Sequence, residues 1–234
     1  MAIILCISGL IKSGKDTAAT YLVENHNFVK LSFASAIKDM LSVIFSWDRN
    51  MLDGITEESR LWRDQVDTWW AKKLNIPNFT PRFAMTNIGT DILRNHFNEN
   101  IWIFSLEKKI IDIIKSTNKN IVISDGRYIN ELDFIKKMNG TCVKINRGSD
   151  PIWMPSAKEY VDLLNSNKNK AAEYEIILQS IPGTIFSMDI HNSEWNLVNY
   201  KFDKVINNDG SKNSLYKQMN ILLSEIPYAD KIKV

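Results

Sequence analysis

The stretch Ala2-Ile3-Ile4-Leu5-Cys6-Ile7-Ser8-Gly9-Leu10-Ile11-Lys12-Ser13-Gly14-Lys15-Asp16-Thr17 decides the fold. Its first seven residues are apolar or small with no alternation, the pattern of a strand buried on both faces. Glycines then break the run, and a helical pattern continues from Lys15 to about Glu24. A strand, a glycine-containing turn and a helix in that order make a cradle for an anion. Glycine lets the backbone curl so that successive N–H groups face a phosphate, and the helix N-terminus adds partial positive charge. Lys15, expected to be exposed and to pack against nothing, reaches the outer phosphates. The alternative is a turn with a solvated lysine. The spacing alone is common in random chains, but its place between a buried strand and a helix favours a nucleotide-binding loop.

Further short strands are expected at residues 120–124, 141–145 and 202–207, with a weaker one at 28–33. Helical patterns lie between them at 34–45, 130–138 (closed by Gly140) and 213–223. Alternation of this kind predicts an α/β fold of three layers, a mostly parallel five-stranded sheet flanked by helices. Two stretches interrupt the rhythm. Residues 56–116 read as consecutive helices, one starting at Thr80-Pro81 and one at Asn100. Residues 148–190 are polar with small helices near 157–164 and 171–180, and read as a mobile lid. The expected organisation is one domain over 1–234, with a helical region at 47–118 and a lid-like insertion at 148–190.

Composition narrows the function. The formal charge of +2 sets up no cationic field for nucleic acid. Three His and two Cys cannot build a Cys-rich zinc site, and Cys6 and Cys142, both in β-branched runs and far apart in the chain, read as buried thiols without a disulfide signature. No apolar run spans a bilayer and the N-terminus lacks the features of a signal peptide, so a cytoplasmic location is expected, with no membrane partner.

Where a magnesium-binding hydroxyl usually follows the loop lysine, this chain has Asp16, and Thr17 is the nearest substitute. The third strand ends in Ser124-Asp125-Gly126-Arg127, with Asn130-Glu131 following. In doubly wound sheets ligands bind at the carboxyl ends of strands, which would point Asp125 and Arg127 at phosphates and metal. Taken alone, an Asp–Arg pair capping the next helix fits equally well; beside the phosphate loop the functional reading leads. All seven arginines (Arg49, Arg60, Arg63, Arg82, Arg94, Arg127, Arg147) precede residue 148. Arginine suits bidentate phosphate recognition, although surface pairing is expected of Arg49 and fits Arg63.

In its motifs the chain resembles the deoxynucleoside monophosphate kinases of large DNA phages and related viruses, within the P-loop kinases. The resemblance rests on the phosphate loop with Asp16, on Phe33-Ala34-Ser35-Ala36-Ile37-Lys38, on the segment from Leu52 through Arg60 to Arg63, and on Thr80-Pro81-Arg82. It continues through Ile88-Gly89-Thr90-Asp91 with Arg94, Trp102, Asp125-Gly126-Arg127 with Glu131, His191-Asn192-Ser193-Glu194, and Val205 to Gly210. It implies transfer of the ATP γ-phosphoryl group to a deoxynucleoside monophosphate such as dGMP or dTMP. Lys12, Gly14, Lys15, Asp16, Thr17, Asn207 and Gly210 fall on the ATP side. Arg60, Arg82, Gly89, Thr90, Trp102, Asp125, Arg127 and Glu131 fall on the monophosphate side, with Lys15, Asp125, Arg82 and Arg127 as the catalytic set. Trp102 also reads as core, and His191 as a structural hydrogen-bonding residue. Mg2+ is implied, carried by phosphates and water with Asp16 or Thr17 near it. A homodimer is compatible with the resemblance. The lid lacks arginine, so Lys158, Lys168 or Lys170 would substitute, or Arg147 would serve alone. Two other readings compete: a P-loop kinase of another small acceptor such as dephospho-coenzyme A, and a nucleotide-binding module without turnover.

Overall fold

In the computed structural model, which describes residues 2–226, the opening apolar run is strand β1 (Ile4–Ser8), every residue of it buried. It is followed by α1 (Lys15–Asn25), β2 (Phe28–Leu31), α2 (Ser35–Phe45), α3 (Arg49–Asp53), α4 (Glu57–Arg63), α5 (Thr68–Leu74) and α6 (Pro81–Thr86). A π-helix (Asn87–Phe97), α7 (Ile101–Ser116), β3 (Asn120–Ile123), α8 (Ile129–Lys137) and β4 (Thr141–Asn146) come next. The chain continues through α9 (Met154–Ser166), α10 (Lys168–Ser180), α11 (Asn192–Trp195), β5 (Lys204–Asn207) and α12 (Lys212–Glu225).

The chain divides into two units, residues 1–31 with 113–234 and residues 32–112; the boundary falls inside α7. In the first unit the five strands are parallel, in the order β2-β3-β1-β4-β5. Leu5, Ile7, Val122, Val143, Ile145 and Ile206 pack with Ala18, Ala19 and Leu22 of α1 and Leu215, Met219 and Leu222 of α12. Burying each of the larger aliphatic side chains contributes about 1.5–3 kcal/mol. The carboxyl ends of β1, β3 and β4 are thereby held in fixed register. Cys6 and Cys142 are register partners on β1 and β4, both buried and both free thiols. The fifth strand starts at Lys204 rather than residue 202, because Asp203 bridges to β4, its N–H donating to Cys142 O and its carboxylate accepting the Cys142 N–H. After α8, Asn139 takes φ 56° and the N–H of Gly140 returns to Ile135 O, closing the helix as expected.

The lid-like stretch differs from its polar reading. Its helices α9 and α10 run 13 residues each and enclose Trp153, Met154, Ala157, Tyr160, Val161, Ala171 and Leu178, joined by Ile185 and Trp195. Polar residues cover the outer faces, which hid an apolar stripe from average composition.

The second unit is a set of short helices around aromatic rings, Phe45 stacking on Trp47 and meeting Trp70 edge-on. As expected, Thr80 caps α6 by accepting the N–H of Phe83, with Pro81 in the first turn. The π-helix was not expected. Trp102 Nε1 donates to Gly89 O at 2.9 Å, and a side chain that takes up a helix carbonyl is one cause of departure from the ordinary ladder.

Candidate nucleotide site

The site in the first unit is built from the ends of β1, β3 and β4. After Ser8 the loop closes through a bond from Ser13 N–H to Leu10 O. Lys12 adopts φ 64°. Gly14 is the N-cap of α1 at φ 100°, with no side-chain cap. The early N–H groups of α1 therefore lack the side-chain acceptor that usually satisfies them, as an anion-binding helix start requires. A Cβ on Gly14 would lie 2.3 Å from Asn208 Nδ2, so both backbone and space demand glycine there.

Asn208 falls within the stretch from Val205 to Gly210 that carries the resemblance, but is not among the residues singled out there. It is buried, its Nδ2 donates to Ser13 O at 2.8 Å and its N–H to Asn146 O, so it ties the phosphate loop to the end of β5. Asn207 and Gly210, the positions expected there, are exposed. A signal was present: Ile206 is the inward residue of β5, and the two-residue strand period makes Asn208, not Asn207, the next inward position.

Lys15 is half-buried rather than fully exposed, and its Nζ donates to Leu10 O at 3.2 Å. Burial pulls its pKa below the ordinary lysine value, while neighbouring Asp16 acts in the opposite direction. Asp16 Oδ1 accepts from Lys30 Nζ and from Ser124 Oγ, each at 2.9 Å. Burial pushes the Asp16 carboxyl upward, but the Lys30 hydrogen bond and charge, aided by Ser124, hold it below the usual carboxylate value. Thr17 is half-buried in the first turn of α1.

Beyond β3, Ser8 Oγ donates to Gly126 O at 2.9 Å. A Cβ on Gly126 would stand 2.6 Å from Cys6 Sγ, so this close approach excludes a side chain. The buried Glu131 accepts the N–H groups of Arg127 (2.8 Å) and Tyr128 (3.2 Å). Glu131 thus caps α8 and fixes the Arg127 backbone. Arg127 Nη1 donates to Ser193 Oγ at 3.2 Å and to the Glu194 carboxylate. Its pKa is raised: burial acts downward, and the charge and hydrogen bond of Glu194 outweigh it. Lys15, Asp125, Arg127, Lys144 and Glu194 line one pocket, with Leu10, Met154, Leu197 and Phe202 among its apolar wall. The Lys144 ammonium is likewise pulled down by burial. His191 behaves as expected, its Nδ1 accepting the Ser193 N–H at 3.3 Å.

The other expected residues belong to the second unit. Arg82 donates through Nε and Nη2 to the two oxygens of Asp64. Arg60 secures the turn after α3, donating to Gly54 O and Ile55 O. Gly89 and Thr90 lie in the π-helix, and Trp102 is buried against the Gly89 carbonyl. Arg49 pairs with Asp39 and Asp53, as expected of it. In the first unit's lid-like stretch, Lys158 pairs with Asp150, while Lys168 and Lys170 are exposed. Among the described residues no group of three or more His, Cys, Asp or Glu is placed to hold a metal, and no helix is long and apolar enough to cross a membrane.

The sequence profile of the family described as deoxynucleotide monophosphate kinase matches residues 3–67 and 61–154. A protein of Acanthamoeba polyphaga mimivirus named as a deoxynucleotide monophosphate kinase is 31% identical over 185 residues, covering 72% of this chain and 91% of its own. The deoxynucleotide monophosphate kinase of Escherichia phage RB69 is 21% identical over 278 residues, covering 94% and 99%. Among solved structures, dephospho-CoA kinase from Campylobacter jejuni aligns over 95% of this chain and 96% of its own, at 16% identity and a TM-score of 0.43. A superposition that distant has no bearing on the acceptor.

Proposed function

This chain belongs to the deoxynucleotide monophosphate kinase family and is a phosphotransferase acting on deoxynucleoside monophosphates; from that premise we propose that ATP donates the phosphoryl group at the phosphate loop of the first unit. The observation that carries this placement is the pocket in which Lys15, Asp125 and Arg127 meet at the strand ends. Phosphoryl transfer needs little proton chemistry and much positioning of charge. The loop N–H groups and the start of α1 take the ATP phosphates, and Lys15 carries charge to the outer ones. Arg127 meets the transferring group. Asn208 keeps the loop in shape, and Glu131 keeps Arg127 in place. Residues 148–190 serve as a lid that moves as a packed helical pair.

The residues fit a magnesium ion. Asp16 uses Oδ1 for Lys30 and Ser124, which leaves Oδ2 for a metal-bound water, and Asp125 lies in the pocket. Magnesium is commonly held by one or two carboxylates together with substrate phosphates, and when bound it offsets phosphate charge. Asp16→Asn is therefore expected to raise the Mg2+ concentration for half-maximal rate about tenfold, the effect usual for an outer ligand. An unchanged Mg2+ titration removes Asp16 from the metal site.

For the acceptor phosphate we assign Arg82, assisted by Arg60, with Gly89, Thr90 and Trp102 shaping that side. The Nε and Nη2 edge of Arg82 spans both oxygens of the Asp64 carboxylate; a phosphate takes the same bidentate fork and would exchange with Asp64 to use it. Arg82→Lys replaces the fork by a point charge and is expected to raise the acceptor KM about tenfold, with the ATP KM unchanged. Steady-state kinetics with each substrate varied separately check this; a change confined to the ATP KM reverses the assignment.

The overall proposal is tested by coupled ADP release across deoxynucleoside and ribonucleoside monophosphates, dGMP and dTMP included, with dephospho-coenzyme A as the competing acceptor. Turnover with a deoxynucleotide and none with dephospho-coenzyme A is expected. The reverse pattern, or ADP release from no acceptor, refutes it.

A further inference from the structure

We infer that Glu194 is a positioning residue for phosphoryl transfer: it holds one nitrogen of Arg127 so that the rest of the guanidinium is presented to the phosphates. This rests on the proposed part of Arg127 in the transfer. Arg127 is anchored from two directions. Its backbone N–H is fixed by the buried carboxylate of Glu131, and its Nη1 donates to both Glu194 and Ser193. Among the described residues, both side-chain anchors fall on the same nitrogen. The Nε and Nη2 edge of the fork is left for a ligand of the pocket that Arg127 and Glu194 line together.

The turn carrying Glu194 is braced in its own right. Ser193 N–H donates to His191 Nδ1, and Tyr128, the residue after Arg127, donates its hydroxyl to Asn192 Oδ1 at 3.0 Å. The next residue, Trp195, is buried in the lid-like cluster, meets Tyr160 edge-on, and donates Nε1 to Ile190 O. Glu194 is therefore presented by a packed turn, unlike a carboxylate at the end of a loose surface chain. An exposed ion pair contributes little. A braced pair on one nitrogen of a fork sets the orientation of the other two, and misplacing a reacting partner by about 1 Å costs about 10²-fold in rate.

The test is a double-mutant cycle with E194A, E194Q, R127A and the combined variants. It reads kcat and both KM values for ATP and a deoxynucleoside monophosphate, with circular dichroism as the check on folding. E194A is expected to lower kcat about tenfold with the ATP KM unchanged, and E194Q, which keeps an acceptor oxygen, to fall between it and the parent. In the R127A background, removal of Glu194 should cost nothing more, since the two act as a unit. Wild-type kcat in both Glu194 variants would make the pair a brace for the turn alone. A raised kcat would make Glu194 a pin that substrate must displace. Additive losses would mean that it does not act through Arg127. Each of these three results overturns the inference. Should E194A fail to fold, the cycle with E194Q decides in the same terms. If R127A alone keeps full activity, it is the assignment of Arg127 that has failed.

Discussion

Lys15→Ala is expected to lower kcat about 10²–10³-fold while the circular dichroism of the protein stays unchanged. The structural cost is modest: the variant gives up one bond from the ammonium to Leu10 O, in the range of about 1.5–3 kcal/mol for a hydrogen bond to a charged group. The catalytic cost is large because the ammonium is already in place, half-buried, beside the loop whose N–H groups we assign to the ATP phosphates. Burial depresses its pKa, so the charge is less hydrated than that of a surface lysine and interacts more strongly with an incoming anion. Single-turnover transfer with saturating ATP and acceptor measures the chemical step directly. A variant that keeps a near-parental rate with an intact fold takes the loop lysine out of the mechanism.

Arg127→Lys is expected to lower kcat about 10²-fold, although charge is conserved. A guanidinium spends Nη1 on Ser193 and Glu194 and still has two nitrogens for phosphate. An ammonium paired with Glu194 has no second edge, and one turned to the phosphates leaves Glu194 unpaired. Either choice loses an interaction that strengthens as charge redistributes on the transferring group, so the loss falls on kcat. Kinetics at saturating substrate, with the fold checked as before, give the result. A loss seen only in KM would place Arg127 in ground-state binding.

Much of this was legible in the chain because the relevant signals are local. The unbroken apolar run to Ile7, the glycines and Lys15 lie within one short window, and the strand ending before Asp125 carries its acid and arginine with it. What stayed hidden depends on elements far apart in the sequence. Glu131 is a local exception: expected on the monophosphate side, it accepts the N–H groups of Arg127 and Tyr128, four and three residues before it, as the cap of its own helix. The partners of Arg127 on α11 and the hold of Asn208 on Ser13 exist only once β5 and α11 have returned to the sheet. Cys6 and Cys142 became neighbours through strand order alone. The apolar cluster of α9 and α10 escaped notice because average polarity over residues 148–190 masks a periodic stripe. The π-helix has no local signature, since the Trp102 indole that takes the Gly89 carbonyl comes from the next helix.

The most direct test is a crystal structure with a bisubstrate inhibitor in which adenosine and a deoxynucleoside are joined by an oligophosphate chain. That chain is expected to lie across the start of α1, with phosphate oxygens in hydrogen-bond distance of Lys15 Nζ and of Arg127 Nε or Nη2, and with Arg127 Nη1 still on Glu194. Phosphates bound away from Lys15, or an Arg127 guanidinium that touches none of them, would contradict the site assigned to the transfer.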